Sequence, residues 1–142
     1  MKLIKKYSLV IIAVLFLSAC TGEIPSSPVT EWGKYTIRLE SRPPVIEKGM
    51  VELLTLVDYE GKLRGWDLIV YYRMGATGRW VQAIQDGHTG VYRRAMKVED
   101  PATDILHVHI KKAQSAEKKK ANAPREETII EIPLNYSTSV SG

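Results

Sequence analysis

Two histidines in the stretch ILHVHI, residues 105–110, have the spacing of a possible metal site. Side chains two residues apart in a strand point to the same face, roughly 6.5–7 Å apart along it. His107 and His109 could therefore share one Cu²⁺ or Zn²⁺ ion if a neighbouring strand supplies a third ligand, for which His88 is the first candidate. Other conceivable third ligands are Asp86, Met74 and Met96. Alternatively, both histidines simply cover the solvent face of a strand whose other face is core.

The single cysteine, Cys20, could be a redox group, a metal ligand, a nucleophile or an attachment point. It follows a run of nine apolar residues, 9–17, and that run is preceded by lysines at positions 2, 5 and 6. A basic start, an apolar stretch of about 7–15 residues and then small residues are typical of a secretory signal. A membrane-spanning helix needs roughly 20 apolar residues, which this run does not reach. We therefore predict that residues 1–19 are a signal peptide.

The four residues LSAC that end at Cys20 resemble the bacterial lipobox. The resemblance implies that the chain is cut before Cys20 and that the sulfur carries a diacylglycerol thioether. Cys20 would then be a lipid attachment point with no free thiol left for chemistry, and the protein would lie outside the cytoplasm, anchored to the cell membrane or to an outer membrane. Residues 20–31 are rich in Pro, Ser and Thr, so we expect a flexible linker with a root-mean-square span of roughly 18 Å.

Composition limits the classes of function that remain. With 44% hydrophobic and 25% charged residues, the chain has an ordinary globular composition. It carries 20 basic and 16 acidic residues, but three of the lysines lie in the predicted signal peptide, so the exported part is nearly neutral. Nucleic-acid binding requires a clustered basic surface, and we therefore expect no nucleic-acid partner.

The elements that would position the histidines are short strands. Apolar and polar residues alternate with period two in seven stretches, separated by Gly, Pro and Asp turn signals. These predicted strands cover residues 34–41, 50–57, 66–73, 80–84, 91–98, 105–110 and 128–134. Pro133 indicates that the last strand lies at an edge, because proline cannot donate to a ladder. We predict an all-β domain over residues 32–142, an immunoglobulin-like antiparallel β-sandwich of about seven strands with a charged loop at 111–127.

Two aromatic residues are predicted to have structural roles. Trp66 shares one strand face with Leu68, Val70 and Tyr72, which indicates that it belongs to the core. Tyr92 follows a glycine by two residues in HTGVY, as in a tyrosine corner, whose hydroxyl bonds back to the upstream backbone.

The order of these features resembles the FixH/YtkA-like group of small, membrane-tethered, exported bacterial domains. The matching stretches are KYTIRLES, VDYEGKLRGWDLIVYYRM, GVY at 90–92 and ILHVHI. The resemblance implies an immunoglobulin-like fold and an association with the assembly of respiratory oxidases. Members often carry a histidine shortly after the methionine that ends the central strand, whereas GATGRW follows Met74 in this chain.

The sequence contains none of the short catalytic motifs G-x-S-x-G or H-E-x-x-H and no phosphate-binding glycine loop. The run of three lysines at 118–120 could attract anionic lipid headgroups, although the neighbouring glutamates favour a solvated loop. We expect a non-enzymatic binding or assembly module, with an integral membrane complex as its partner. The alternative is copper or zinc handling through His107, His109 and His88; no other cofactor is expected.

Overall fold

Short antiparallel strands build almost the whole domain in a computed structural model, which describes residues 22–63 and 67–138. The strands are β1 (Thr30–Trp32), β2 (Tyr35–Arg42), β3 (Gly49–Tyr59), β4 (Lys62–Leu63), β5 (Leu68–Met74), β6 (Val81–Gln85), β7 (Val91–Val98), β8 (Ile105–Lys112) and β9 (Glu127–Pro133). A short helix α1 (Ala116–Lys120) and a 3₁₀ helix (Leu134–Thr138) accompany them. The prediction of an all-β fold is confirmed. All seven predicted strands are present, and β1 and β4 are additional.

One continuous antiparallel sheet contains all nine strands. Their order across the sheet is β1-β2-β3-β7-β6-β5-β8-β9, and β4 pairs with the end of β3. β6 joins the two halves, because Val81 to Ala83 pair with β5 while Ile84 and Gln85 pair with β7. The sheet therefore curls into a nearly barrel-shaped fold. We call β1, β2, β3 and β7 the first layer, and β5, β8 and β9 the second layer.

The core lies between the two layers and is built from alternating side chains. In β5, Leu68, Val70 and Tyr72 are buried, as their shared face predicted. Every second side chain of β8 is fully buried in the same way, at Leu106, Val108 and Ile110. Each such side chain contributes roughly 1.5–3 kcal/mol through burial. Because the domain contains no cysteine after Cys20, this packing is what holds the layers together.

A buried polar network connects the layers through the core. The Tyr72 hydroxyl, on β5, donates to the Tyr92 carbonyl at 2.9 Å and shares a hydrogen bond with Thr55 Oγ1 at 2.5 Å. Burial raises the pKa of the Tyr72 hydroxyl far above its usual value. Burial also raises the pKa of Tyr92, which is 1% exposed, to about 12. The hydrogen bond from Tyr72 uses the backbone carbonyl of Tyr92 and not its hydroxyl, so the role of Tyr92 as a tyrosine corner stays a prediction.

The sequence predicted that the domain begins at Trp32, but the folded domain begins earlier. Ser27 is buried, its backbone N–H donates to the Leu39 carbonyl, and its Oγ accepts from the Leu39 N–H, both at 2.8 Å. Three residues later, Thr30 enters β1 and pairs with Ile37. A composition rich in Pro, Ser and Thr indicated a linker, yet two backbone-directed bonds dock this segment onto β2. The predicted linker at 20–31 therefore overlaps the folded domain from Ser27 onward.

The strand register defines two ends of the sheet. Since Ser27 lies beside Leu39 and Thr30 beside Ile37, the chain from Thr30 back to Ser27 runs along β2 toward the end of the sheet at Arg42. We call this the proximal end; loops 43–48, 75–80 and 99–104 lie there. The distal end carries the predicted charged loop 111–127, in which β8 continues to Lys112 and the Ser115 side chain caps α1 by accepting from the Lys118 N–H.

Three predictions fall on residues outside the described ranges: the signal peptide at 1–19, the lipid attachment at Cys20 and the core position of Trp66. Among residues 22–63 and 67–138, no helix has the length and apolar character needed to cross a bilayer.

Candidate functional site

Both histidines of the predicted metal site lie on the outer face of the second layer, where β8 is flanked by β5 and β9. Strand register sets three cross-strand rows on this face. The rows are Arg73–His107–Glu131, Tyr71–His109–Ile129 and Ile69–Lys111–Glu127. Trp80, just before β6, packs beside them. We call these residues together the histidine face.

His107 is on the outer face but is not solvated, because its residue exposure is only 6%. Its Nδ1 lies 2.8 Å from the carbonyl oxygen of Gly75, which follows β5 with a left-handed backbone (φ +70°). The Gly75 carbonyl can only accept a hydrogen bond and Arg73 Nε, 3.4 Å from the same Nδ1, can only donate one, so a neutral ring satisfies one of the two. The Nε2 faces Glu131 Oε1 at 3.4 Å. Arg73 Nη2 packs against the same ring, 3.3 Å from Nδ1. The ring is thereby fixed on both sides.

His109 is less enclosed than His107 and belongs to an aromatic group. Its Nε2 lies 3.1 Å from Glu127 Oε2, and its side chain is 17% exposed. The ring centroid of Trp80 is 5.6 Å away and that of Tyr71 is 6.5 Å away. Such ring distances are typical of packed aromatic pairs. His109 is therefore positioned by rings on one side and by a carboxylate on the other.

Cations and carboxylates are separated across the histidine face. The Arg73 guanidinium lies 4.5 Å from the centre of the Trp80 ring, and Lys111 Nζ lies 5.3 Å from that of Tyr71. Both distances suit cation–π contacts. Glu127 and Glu131 lie on β9 instead, at the edge of the sheet. The middle row of Tyr71, His109 and Ile129 thus runs between two rows, each with a glutamate on the edge strand β9 and a basic residue farther from the edge, Arg73 on β5 or Lys111 on β8.

The predicted third metal ligands do not join the two histidines. Within the part of the chain that the structure describes, no three His, Cys, Asp or Glu side chains form a group that could hold a metal ion. His88 is exposed in the turn between β6 and β7, where Asp86 faces Arg93. Met96 is buried in the core and Met74 packs against it, so both lie on the inner side of the sheet. Copper or zinc binding stays a prediction that rests on two histidines alone.

The sequence pattern predicted the two histidines but not the side chains that surround them. The residues it missed are Arg73, Trp80, Glu127 and Glu131. A usable signal existed for Arg73 and Glu131, since each has the outward parity of its strand. Pairing between strands that are distant in sequence could not be read from parity alone, and that pairing creates the rows.

A second aromatic group lies at the distal end. Trp32 stacks on Tyr35 with ring centroids 5.3 Å apart, and Tyr35 contacts Tyr59 at 4.9 Å. Lys112 Nζ sits 5.4–5.6 Å from the first two rings and pairs with Glu126, and that hydrogen bond raises the lysine pKa. Lys112 and Glu126 therefore contact this aromatic cluster as part of the same domain. The cluster therefore ties the β1–β2 turn to the end of β8, and we assign it a structural role.

The chain was compared with protein families, with curated proteins and with solved structures, and it matches none of them. The resemblance to the FixH/YtkA-like group thus rests on the short motifs given above.

Proposed function

We propose that this chain is a lipid-anchored, extracytoplasmic and non-enzymatic binding module that docks on a protein partner through the histidine face. The observation that carries the proposal is the middle row, in which Tyr71, His109 and the exposed Ile129 are adjacent and Trp80 packs against His109. Protein interfaces are enriched in aromatic residues and arginine at their centre and have a polar rim. The histidine face has this composition and this arrangement.

The proposed partner is an integral membrane complex, because the tether is short. From Cys20 to Ser27 the chain spans seven residues, which reach about 25 Å when fully extended. Ser27 is fixed to Leu39, so an acylated Cys20 would hold the domain close to the bilayer with its proximal end toward the lipid. A membrane protein or a second anchored protein is the kind of partner within reach of a domain held in this way.

The strand order supports the finer fold assignment that belongs to this proposal. Lettered along the chain, β2, β3, β5, β6, β7, β8 and β9 become strands A to G, and their order across the sheet reads A-B-E-D-C-F-G. The immunoglobulin constant-type sheets contain A-B-E-D and C-F-G. The additional pairing between β5 and β6 connects the two groups. We propose an immunoglobulin-like sandwich in which strand D bridges both sheets.

The anchor is tested by Cys20→Ser in a metabolic labelling experiment with a radioactive or clickable fatty acid. We expect the wild-type chain to be labelled and processed and the variant to lose both label and processing. A label of unchanged intensity in the variant would exclude Cys20 as the acylated residue.

The docking face is tested by placing a photo-crosslinking amino acid at position 129, on the histidine face, or at position 50 in living cells. Ile129 and Met50 are both exposed, at 56% and 66%, but Met50 lies on the first layer. We expect a discrete adduct with a membrane protein from position 129 and none from position 50, and Trp80→Ala should remove the adduct. Equal adducts from both positions, or an adduct that survives Trp80→Ala, would refute docking through the histidine face.

Metal handling has less support than protein binding, since over residues 22–63 and 67–138 no group of three His, Cys, Asp or Glu side chains that could hold a metal ion includes His107 and His109. A Cu²⁺ or Zn²⁺ titration of the full chain in detergent micelles distinguishes the two functions. Sub-micromolar binding that is lost in His107→Ala would favour metal handling.

A further inference from the structure

The last strand of the sheet, β9, has an open edge beside the histidine face. It is the final strand in the sheet order, and over residues 22–63 and 67–138 it pairs only with β8. Glu127, Ile129, Glu131 and Pro133 are all exposed along it. The open edge is seven residues long, whereas the strand at the opposite edge of the sheet, β1, has three.

The direction of the backbone groups of β9 follows from two bonds at its ends. The Lys112 N–H donates to the Glu126 carbonyl, and the Leu134 N–H donates to the Asp104 carbonyl. In an antiparallel pair, residues that exchange hydrogen bonds alternate with residues that do not. The even-numbered residues of β9 therefore face β8 with their N–H and C=O groups. Those of residues 127, 129 and 131 point toward the open edge.

The same three residues direct their side chains to the histidine face. The side chains of Glu127 and Glu131 are 49% and 69% exposed, and Ile129 between them is 56% exposed. The edge thus offers unpaired backbone groups together with an acidic, apolar, acidic pattern at every second residue. Pro133 ends the open stretch, because it has no N–H to offer.

We propose that β9 binds an extended segment of a partner protein as an additional strand, and that this segment alternates basic, apolar and basic residues at every second position. The inference rests on the proposed function, since it names the partner chemistry at the rim of the same face. Main-chain bonds to residues 127, 129 and 131 would supply the strand pairing, as in other strand-addition complexes. Cross-strand partners stand about 4.5–5.5 Å apart, so lysine or arginine would face each glutamate and an apolar side chain would face Ile129.

Charge disfavours a second copy of this chain as the occupant. An antiparallel pair of β9 strands centred on Ile129 places Glu127 of each copy opposite Glu131 of the other. Like charges directly opposite each other are destabilising in a sheet. The complementary occupant is a segment of opposite charge, which β9 itself does not provide.

The first test uses ¹⁵N-labelled full chain in detergent micelles and two capped heptapeptides, TKTVTKT and TETVTET. At saturating TKTVTKT we expect amide hydrogen exchange at Ile129 and Glu131 to slow by at least about tenfold, because these N–H groups gain partners. Exchange at Ile130, already bonded to β8, should stay unchanged. The acidic peptide should produce no protection. Equal protection by both peptides, or binding without protection at 129 and 131, would overturn the proposal.

Three variants separate backbone pairing from other contacts. Ile129→Pro removes one N–H that faces the open edge and leaves the bonds between β8 and β9 in place, so it should abolish binding of TKTVTKT. Ile129→Thr is the matched control, since it keeps the N–H and should only weaken binding. Glu131→Gln should weaken binding by up to about fivefold, the effect of one cross-strand charge pair. Unchanged binding in Ile129→Pro would exclude strand addition, and a dimer in sedimentation that Ile129→Pro dissolves would identify a second copy as the occupant.

Strand addition at β9 and docking through the histidine face can fail independently of each other. An adduct from a crosslinking amino acid at position 111, also on the histidine face, that persists in Ile129→Pro would remove strand addition and leave docking through the histidine face intact. Peptide binding that meets every expectation, while no adduct forms in cells, would support the edge site and contradict the proposed docking.

Discussion

Replacing Tyr72 by phenylalanine removes one buried hydroxyl and keeps the ring that packs between the layers. The hydroxyl is fully buried and forms two hydrogen bonds, to the Tyr92 carbonyl and to Thr55 Oγ1. A neutral hydrogen bond contributes about 1 kcal/mol net to stability. Because both bonds are broken, Tyr72→Phe should lower the free energy of unfolding by about 2 kcal/mol.

Thr55→Val provides the matched comparison. Valine has nearly the shape of threonine but no hydroxyl, so it breaks only the bond to Tyr72 and should cost about 1 kcal/mol. Both single variants break that shared bond. The double variant should therefore cost about 1 kcal/mol less than the sum of the two single changes, which is the coupling energy of a double-mutant cycle.

Urea unfolding of the full chain, followed by tryptophan fluorescence, measures all four proteins. For a domain of this size the dependence on urea is about 1–3 kcal/mol per molar, so Tyr72→Phe should shift the midpoint by about 1 M with an unchanged slope. A loss below about 0.5 kcal/mol for Tyr72→Phe, or strictly additive single changes, would refute the reasoning about this network.

Two further changes should alter stability. Gly78→Ala should cost about 1–3 kcal/mol in the same urea titration, because its Cβ would lie 2.2 Å from the Met74 carbonyl oxygen, whereas Gly22→Ala meets open space and should be neutral. Between about pH 10 and 12 the free energy of unfolding should fall, because burial raises the pKa of Tyr92 and Tyr136 to about 12 while the unfolded tyrosines ionise near pH 10. The contribution of these two tyrosines to the free energy of unfolding is complete below pH 10 and is lost as the pH rises through 12, by up to about 1.4 kcal/mol per pH unit and tyrosine. Tyr136→Phe should make this fall with pH less steep. A free energy of unfolding that stays constant up to pH 11.5 would contradict the raised tyrosine pKa values.

The sequence predicted the strands well because most of them keep a strict alternation. Leu68, Val70 and Tyr72 lie on one buried face, and Pro133 marks an edge strand, as predicted. β1 and β4 were missed, since three and two residues are too few to establish a period. The start of the domain at Ser27 was missed as well, because a serine that bonds to a distant backbone leaves no local pattern.

The candidate site was less predictable, because it depends on which strands become neighbours. Parity placed His107 and His109 on the outer face, where they lie. It could not foresee that Arg73, the carbonyl of Gly75 and Glu131 enclose His107, since these groups come from other strands and loops. A single sequence gives the face that a side chain occupies, whereas its surroundings follow from the register of the whole sheet.

The attachment of Ser27 to Leu39 also affects how strongly a partner must bind. If Cys20 is acylated, as we propose, the seven residues from Cys20 to Ser27 would confine the domain to a thin layer above the lipid. Once a membrane partner lies beside it, the effective concentration of the binding face is on the order of millimolar, as for other short linkers. A strand addition with a millimolar dissociation constant in solution would then be about half occupied at the membrane and would still dissociate rapidly. A lipid tether of this length, as proposed, would thus permit a reversible contact that a freely diffusing domain could not maintain.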